Sequence, residues 1–290
     1  MEQQKLAEGQ SLRTALWFVS CCRLAAVGQR LQAKRGDIVR KVKKRIFSGA
    51  VLEQITFGVS DRVRNIADAK PPRPRFKDDS ERDAHKAGIS RRLNAQIVNE
   101  NFSPTSLYST LTFDVENEVH TFLEARQIRR NIVRVLKRKC PDAVIYVVMG
   151  RGKSTHRIHF HIITEGLPAD LIKEKWKYGT VVRTDHLREH NYYDGKDQGQ
   201  DYTGLANYLW EHWTPEQGGH RWFITKNARR PDIEPAEDTD EDYSPSNPPE
   251  APEGYELVET KQTPYGCCYF KYVKIKRPRR KRKRRPPAPS

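Results

Sequence analysis

The sequence predicts an α+β protein centred on a split β-α-β-β-α-β antiparallel sheet with helices on one face. Three observations lead there. Between Leu107 and Arg183, runs of strand period and runs of helical period follow one another in that order. Ala143–Met149 (AVIYVVM) is a nearly continuous apolar run, as in a central strand. Arg157–Ile163 (RIHFHII) alternates, so Ile158, Phe160 and Ile162 face a core while His159 and His161 stand side by side on the other face.

Taken in order, residues 1–79 read as a mostly helical, basic N-terminal extension. Its most apolar stretch, Ala15–Val27, is too short to span a membrane and is interrupted by Ser20 and Arg23. It is read as a buried or amphipathic helix rather than a secretory signal. A basic cluster (Arg35, Arg40, Lys41, Lys43, Lys44, Arg45) is followed by a proline-rich turn over Lys70–Arg75. Residues 80–231 form the main domain. Ser80–Asn101 has Ile89, Leu93, Ile97 and Val98 at helical spacing, with Arg91 and Arg92 near the opposite side. Leu107–Phe113 (LYSTLTF) is a strand, and Val119–Lys139 is an amphipathic helix ended by Pro141. The two central strands form a hairpin through Gly150–Ser154. A helix over Pro168–Tyr178 stops at Gly179; a short strand over Thr180–Arg183 and a polar loop come next, then a helix from Thr203 to Trp213. Arg221–Thr225 is a candidate last strand.

Residues 232–253 are acidic and proline-rich, the composition of a flexible linker. Residues 254–275 have β character and are expected to form a hairpin closing on the core. Residues 276–290 read as a disordered basic tail. The chain carries 53 basic and 37 acidic residues, a formal charge of +16. Ten basic residues in Lys274–Arg285 account for much of it, leaving +6 elsewhere. That excess suits a polyanionic partner, with nucleic acid first. The five cysteines form no Cys-x-x-Cys pair, which excludes zinc-finger spacing; free thiols in a reducing cytoplasm are expected. No Walker A spacing is present, so a fused helicase is not expected.

Two imidazoles two residues apart on a strand are able to share one divalent ion. On the helix that follows, Leu205, Ala206, Leu209 and Trp213 define a core-facing side, with Tyr208 at its flank, packed but able to present a hydroxyl. An ion polarising a phosphoryl oxygen beside a tyrosine nucleophile is a phosphoryl-transfer site.

Three ordered motifs, Leu107–Phe113, His159-Phe160-His161 and Ala206-Asn207-Tyr208-Leu209, resemble those of rolling-circle replication initiators. These are the His-hydrophobe-His endonucleases of small phages and plasmids, similar to filamentous-phage initiators. The likeness covers about residues 80–235 and extends to Arg92–Phe102 and to Asn227–Pro231. It implies Mg²⁺ or Mn²⁺ held by His159 and His161. It also implies a catalytic Tyr208 that cuts one strand of single-stranded or supercoiled origin DNA, keeping the 5′ phosphate and freeing a 3′ hydroxyl. Host polymerase and helicase would be partners, in the cytoplasm of a bacterial host with no membrane association. Arg91, Arg92, Arg157, Lys226, Arg229 and Arg230 are the candidate DNA contacts.

The sequence departs from the family twice. Where members place Lys or a second Tyr after the nucleophile, this chain has Glu211 and His212, which favours a single-tyrosine mechanism. No acid precedes the histidines to act as third ligand; His156 ranks first for that place, ahead of Asp114 and Asp201. Alternative readings are a relaxase or single-tyrosine transposase with the same chemistry, or a non-catalytic binder of single-stranded nucleic acid.

Overall fold

The computed structural model describes residues 39–60, 63–71, 76–152, 155–213, 220–263 and 266–275. The described residues form a six-stranded and a five-stranded antiparallel sheet and a separate two-stranded hairpin in a mixed α+β architecture. Strands β1 (Val39–Ser48) and β2 (Val51–Ser60) form a hairpin that begins the first sheet. Helix α1 (Asp79–Asn101) follows, its first turn capped by Asp78, whose side chain accepts from the Glu81 amide. Strand β3 (Leu107–Thr112) and helix α2 (Phe122–Lys139) come next. Thr121 and Glu124 close α2 with a reciprocal capping box, and Lys137–Lys139 complement its C-terminal dipole.

Strands β4 (Val144–Arg151) and β5 (Ile158–Glu165) form the central hairpin. Helix α3 (Ala169–Lys175) and strand β6 (Val181–His186) follow. A small hairpin pairs β7 (Tyr192–Tyr193) with β8 (Lys196–Asp197), and helix α4 (Thr203–Trp210) leads to β9 (Phe223–Ile224). The short strands β10 (Asp232–Ile233) and β11 (Glu237–Asp238) precede the hairpin of β12 (Tyr255–Gln262) and β13 (Cys268–Lys274).

The main sheet has the order β6-β3-β5-β4-β9, each neighbouring pair antiparallel. One of its faces buries Leu111, Val147, Phe160 and Ile162 against Ile132 and Leu136 of α2 and Ile172 of α3. The other buries Tyr146, Val148 and Ile163 against Ala95 and Val98 of α1 and Ala206 and Leu209 of α4. The expectation of helices on one face is therefore corrected: both faces are covered. Ala95, Val98, Ala206 and Leu209 give α1 and α4 apolar sides that need burial, and the second sheet face supplies it.

The expected helical extension is also corrected over 39–60, which is a β-hairpin. Its two-residue turn is Gly49-Ala50, and Gly49 has φ +59°. A Cβ at Gly49 would lie 2.1 Å from the Asn99 carbonyl oxygen, so the hairpin tip and the end of α1 approach too closely for any larger residue. Val51–Val59 is rich in β-branched and aromatic residues, and pairing with it holds the basic stretch 39–48 extended. The remainder of the extension, residues 1–38, and the basic tail, 276–290, lie outside the described residues.

The second sheet has the order β10-β1-β2-β13-β12, with β11 also on β1. The stretch 232–253, expected as a flexible linker, instead lays β10 and β11 along β1 and brings the Pro249 carbonyl to the Tyr272 hydroxyl at 2.9 Å. Acidic side chains of the strap meet the basic strand: Asp238 pairs with Arg40, Asp242 with Lys41 and Glu237 with Lys43. No helix of the described residues is long and apolar enough to cross a membrane.

Buried charge joins the second sheet to α1 and to the start of α4. Glu53 of β2 accepts from Arg92 at 3.0 Å, from Gln96, and from the Tyr269 hydroxyl of β13 at 2.7 Å. Lys271 of β13 pairs with Asp201, immediately before α4, and donates to the Thr203 hydroxyl at 3.1 Å. Burial alone would raise both carboxyl pKa values; the cationic and hydrogen-bonding partners outweigh it and hold both below the usual range.

Candidate metal centre

The site begins with period-two alternation on β5. Ile158, Phe160 and Ile162 enter the α2/α3 core, which aims His159 and His161 under α4. In register, His159 lies opposite Thr112 of β3 and Gly150 of β4, and His161 opposite Thr110 and Val148. A Cβ at Gly150 would come within 2.9 Å of His159 Nε2 and 3.0 Å of His212 Cδ2. The absence of a side chain at Gly150 makes room for two rings.

His212, one turn beyond Tyr208, completes the group. The Nε2 atoms of His159 and His161 are 3.0 Å apart, and one nitrogen from each of His159, His161 and His212 falls within 4.8 Å of the others. The His161 and His212 ring centroids are 4.4 Å apart. His159 Nδ1 lies 3.4 Å from the Arg157 carbonyl, His161 Nδ1 lies 2.7 Å from the Tyr108 hydroxyl, and His212 Nδ1 lies 2.9 Å from the Tyr208 carbonyl. Each Nδ1 thus has an oxygen partner, the arrangement in which the Nε2 of a metal-ligating histidine faces its ion.

Burial pushes the His161 pKa down to about 2, with His212 and His159 adding to the shift. Burial lowers His159 as well, against the hydrogen bond to Arg157 and with help from His212. Both rings are neutral at pH 7, the form that ligates metal. Three buried or half-buried imidazoles that bring one nitrogen each within 4.8 Å of the others, with no carboxylate among them, fit a divalent first-row transition ion better than Mg²⁺, which prefers oxygen.

Tyr208 sits on α4 with its ring 4.5 Å from that of His212 and 5.8 Å from that of His161, both edge-on. Contacts from α1 hold the helix in place. Asn94 donates to the Ala206 carbonyl at 3.1 Å, and Arg91 donates to Asn207 at 2.8 Å and pairs with Glu211 at 3.3 Å. At its N-terminal end, Asp201 accepts from the Thr203 amide at 2.9 Å.

The structure brings His159, His161 and Tyr208 together and places His156, Asp114 and Asp201 outside that group. His156 is exposed, with φ +53° in the β4–β5 turn, and lies outside the three-histidine group; the correction is His212. Asp201 is engaged by Lys271, and Asp114 caps Asn117. Of the candidate DNA contacts, Arg91 pairs with Glu211, Arg92 with Glu53, Arg157 with Glu118 and Arg229 with Glu100. Arg91, Arg92 and Arg157 are half-buried, whereas Arg229, despite its pair, is exposed like Lys226 and Arg230. Sequence reasoning missed His212 and Gly150. The four-residue spacing from Tyr208 was the available signal for His212, since i and i+4 share a helix face.

Comparison of the chain with protein-family models, curated proteins and solved structures found no match.

Proposed function

We propose that this protein is a metal-dependent DNA strand-nicking and joining enzyme that initiates rolling-circle replication, with Tyr208 as nucleophile. The observation that carries the reading is the placement of the Tyr208 ring against His161 and His212, beside three imidazoles that each bring one nitrogen within 4.8 Å of the others. The strand order β6-β3-β5-β4 and the crossovers through α2 and α3 support a split β-α-β-β-α-β reading of the core.

His159, His161 and His212 would hold the ion, which when bound polarises the scissile phosphoryl group. The Tyr208 phenol loses its proton as Oη forms a bond to phosphorus. The bond from phosphorus to the 3′ oxygen breaks, and that oxygen leaves with the electron pair and takes up a proton. The products are a 5′-phosphotyrosine and a free 3′ hydroxyl, and the reverse attack rejoins the strand. One ester replaces another, so no external energy source is required.

The test uses the full chain with Mn²⁺ and a labelled pool of random-sequence single-stranded DNA, read on a denaturing gel. A protein–DNA adduct is expected from the native chain and none from Tyr208→Phe. An adduct that persists in Tyr208→Phe overturns the assignment. Retained DNA binding with no adduct under any divalent ion favours a non-catalytic binder.

A further inference from the structure

Tyr108 of β3 also faces the histidines, with its ring, like that of Tyr208, against His161. Its ring stacks on the His161 imidazole, with centroids 5.9 Å apart and planes 12° from parallel. Its hydroxyl meets His161 at Nδ1, 2.7 Å away. The opposite ring nitrogen, Nε2, is the one that lies 3.0 Å from His159 Nε2.

We propose that Tyr108 is a positioning residue for the centre: its hydroxyl accepts the Nδ1–H of His161, sets that tautomer and turns Nε2 inward. The proposal rests on the metal-dependent reading above. A neutral imidazole carries a single N–H, so fixing it on Nδ1 leaves Nε2 as the lone pair. A partner on the non-ligating nitrogen also orients the ring and raises its basicity. His159 and His212 obtain that partner from backbone, the carbonyls of Arg157 and Tyr208. At His161 it is a side chain, with the Thr110 hydroxyl as the next neighbour at 3.4 Å. The centre is therefore adjustable at His161 by substitution of its partner.

The same geometry argues against Tyr108 as a second nucleophile. Its hydroxyl is engaged at the outer nitrogen, and the imidazole stands between it and the Nε2 atoms.

The experiment measures Mn²⁺ affinity by electron paramagnetic resonance for the native chain, Tyr108→Phe and His161→Ala. Circular dichroism checks the fold, and ¹⁵N spectra report the His161 tautomer. Tyr108→Phe is expected to weaken Mn²⁺ binding about 10–100-fold and to shift His161 toward mixed tautomers. At saturating Mn²⁺ it should still form the DNA adduct on Tyr208, located by peptide mass mapping. Unchanged Mn²⁺ affinity with a normal fold overturns the proposal. So does normal affinity with the adduct lost, which would make Tyr108 a nucleophile. A native chain that binds Mn²⁺ no better than His161→Ala overturns the reading of the centre itself, a separate outcome.

Discussion

On one face of the main sheet, Leu111, Val147, Phe160 and Ile162 close against α2 and α3. On the other, one residue out of phase along the same strands, Thr110, His159 and His161 lie under α4. The apolar face holds β5 rigidly enough for two imidazoles to stand 3.0 Å apart on its reverse. The histidine face depends on elements distant in sequence: α1 through Arg91 and Asn94, and β13 through Lys271. Strand alternation thus separates the apolar core from the candidate site by a single residue, and substitutions on the two faces should have separable effects.

The largest effect on stability is expected from the apolar face. Phe160 is fully buried and meets Phe113 and Trp176 edge-on. Phe160→Ala should cost about 3–5 kcal/mol in a urea titration. A loss below about 1 kcal/mol would mean that the face contributes little to the fold.

A smaller loss is expected where the second sheet braces the histidine face. Lys271→Met leaves Asp201 buried without its cation, a change of about 3 kcal/mol by analogy with other broken buried pairs. Adduct formation should fall as well, because Asp201 lies at the start of α4. If stability drops and the adduct rate per folded molecule does not, the brace is structural only.

The smallest effect is on pH dependence. In the folded chain Asp201 and Glu53 both titrate below the usual carboxylate range. Their contribution is fully present above that range, about pH 4 for an unfolded carboxyl, and is lost as pH falls through the folded values. Lys271 is shifted upward, so its contribution is complete at neutral pH and is lost only at alkaline pH, as it deprotonates. In Lys271→Met the desolvation of Asp201 is left unopposed by the ammonium and its folded pKa should rise. The Asp201 part of the acid dependence should then reverse sign, and denaturant midpoints measured between pH 3 and 7 would show it.

Much of the main sheet was legible because its signals are local. The AVIYVVM run, the alternation through His159 and His161, and the amphipathic run within Val119–Lys139 each follow from neighbouring residues alone. The β1 strand was not legible in the same way. Arg40-Lys41-Val42-Lys43-Lys44-Arg45-Ile46 also suits a basic helix, and pairing with Val51–Ser60 decides against it. Arg91 and Arg92 read as free basic residues until Glu211 and Glu53 are seen beside them.

By itself the sequence determined the α+β class, the strand that presents His159 and His161 on one face, and the helix that carries Tyr208. These depend on period and composition, which are properties of short stretches. Only the tertiary structure decided that α4 lies over that face, that His212 rather than His156 joins the pair, and that Tyr108 stands at His161 Nδ1. Those outcomes depend on which elements pack together, through contacts between residues tens to hundreds of positions apart, such as Arg91 with Asn207 and Lys271 with Thr203. No local pattern encodes such contacts.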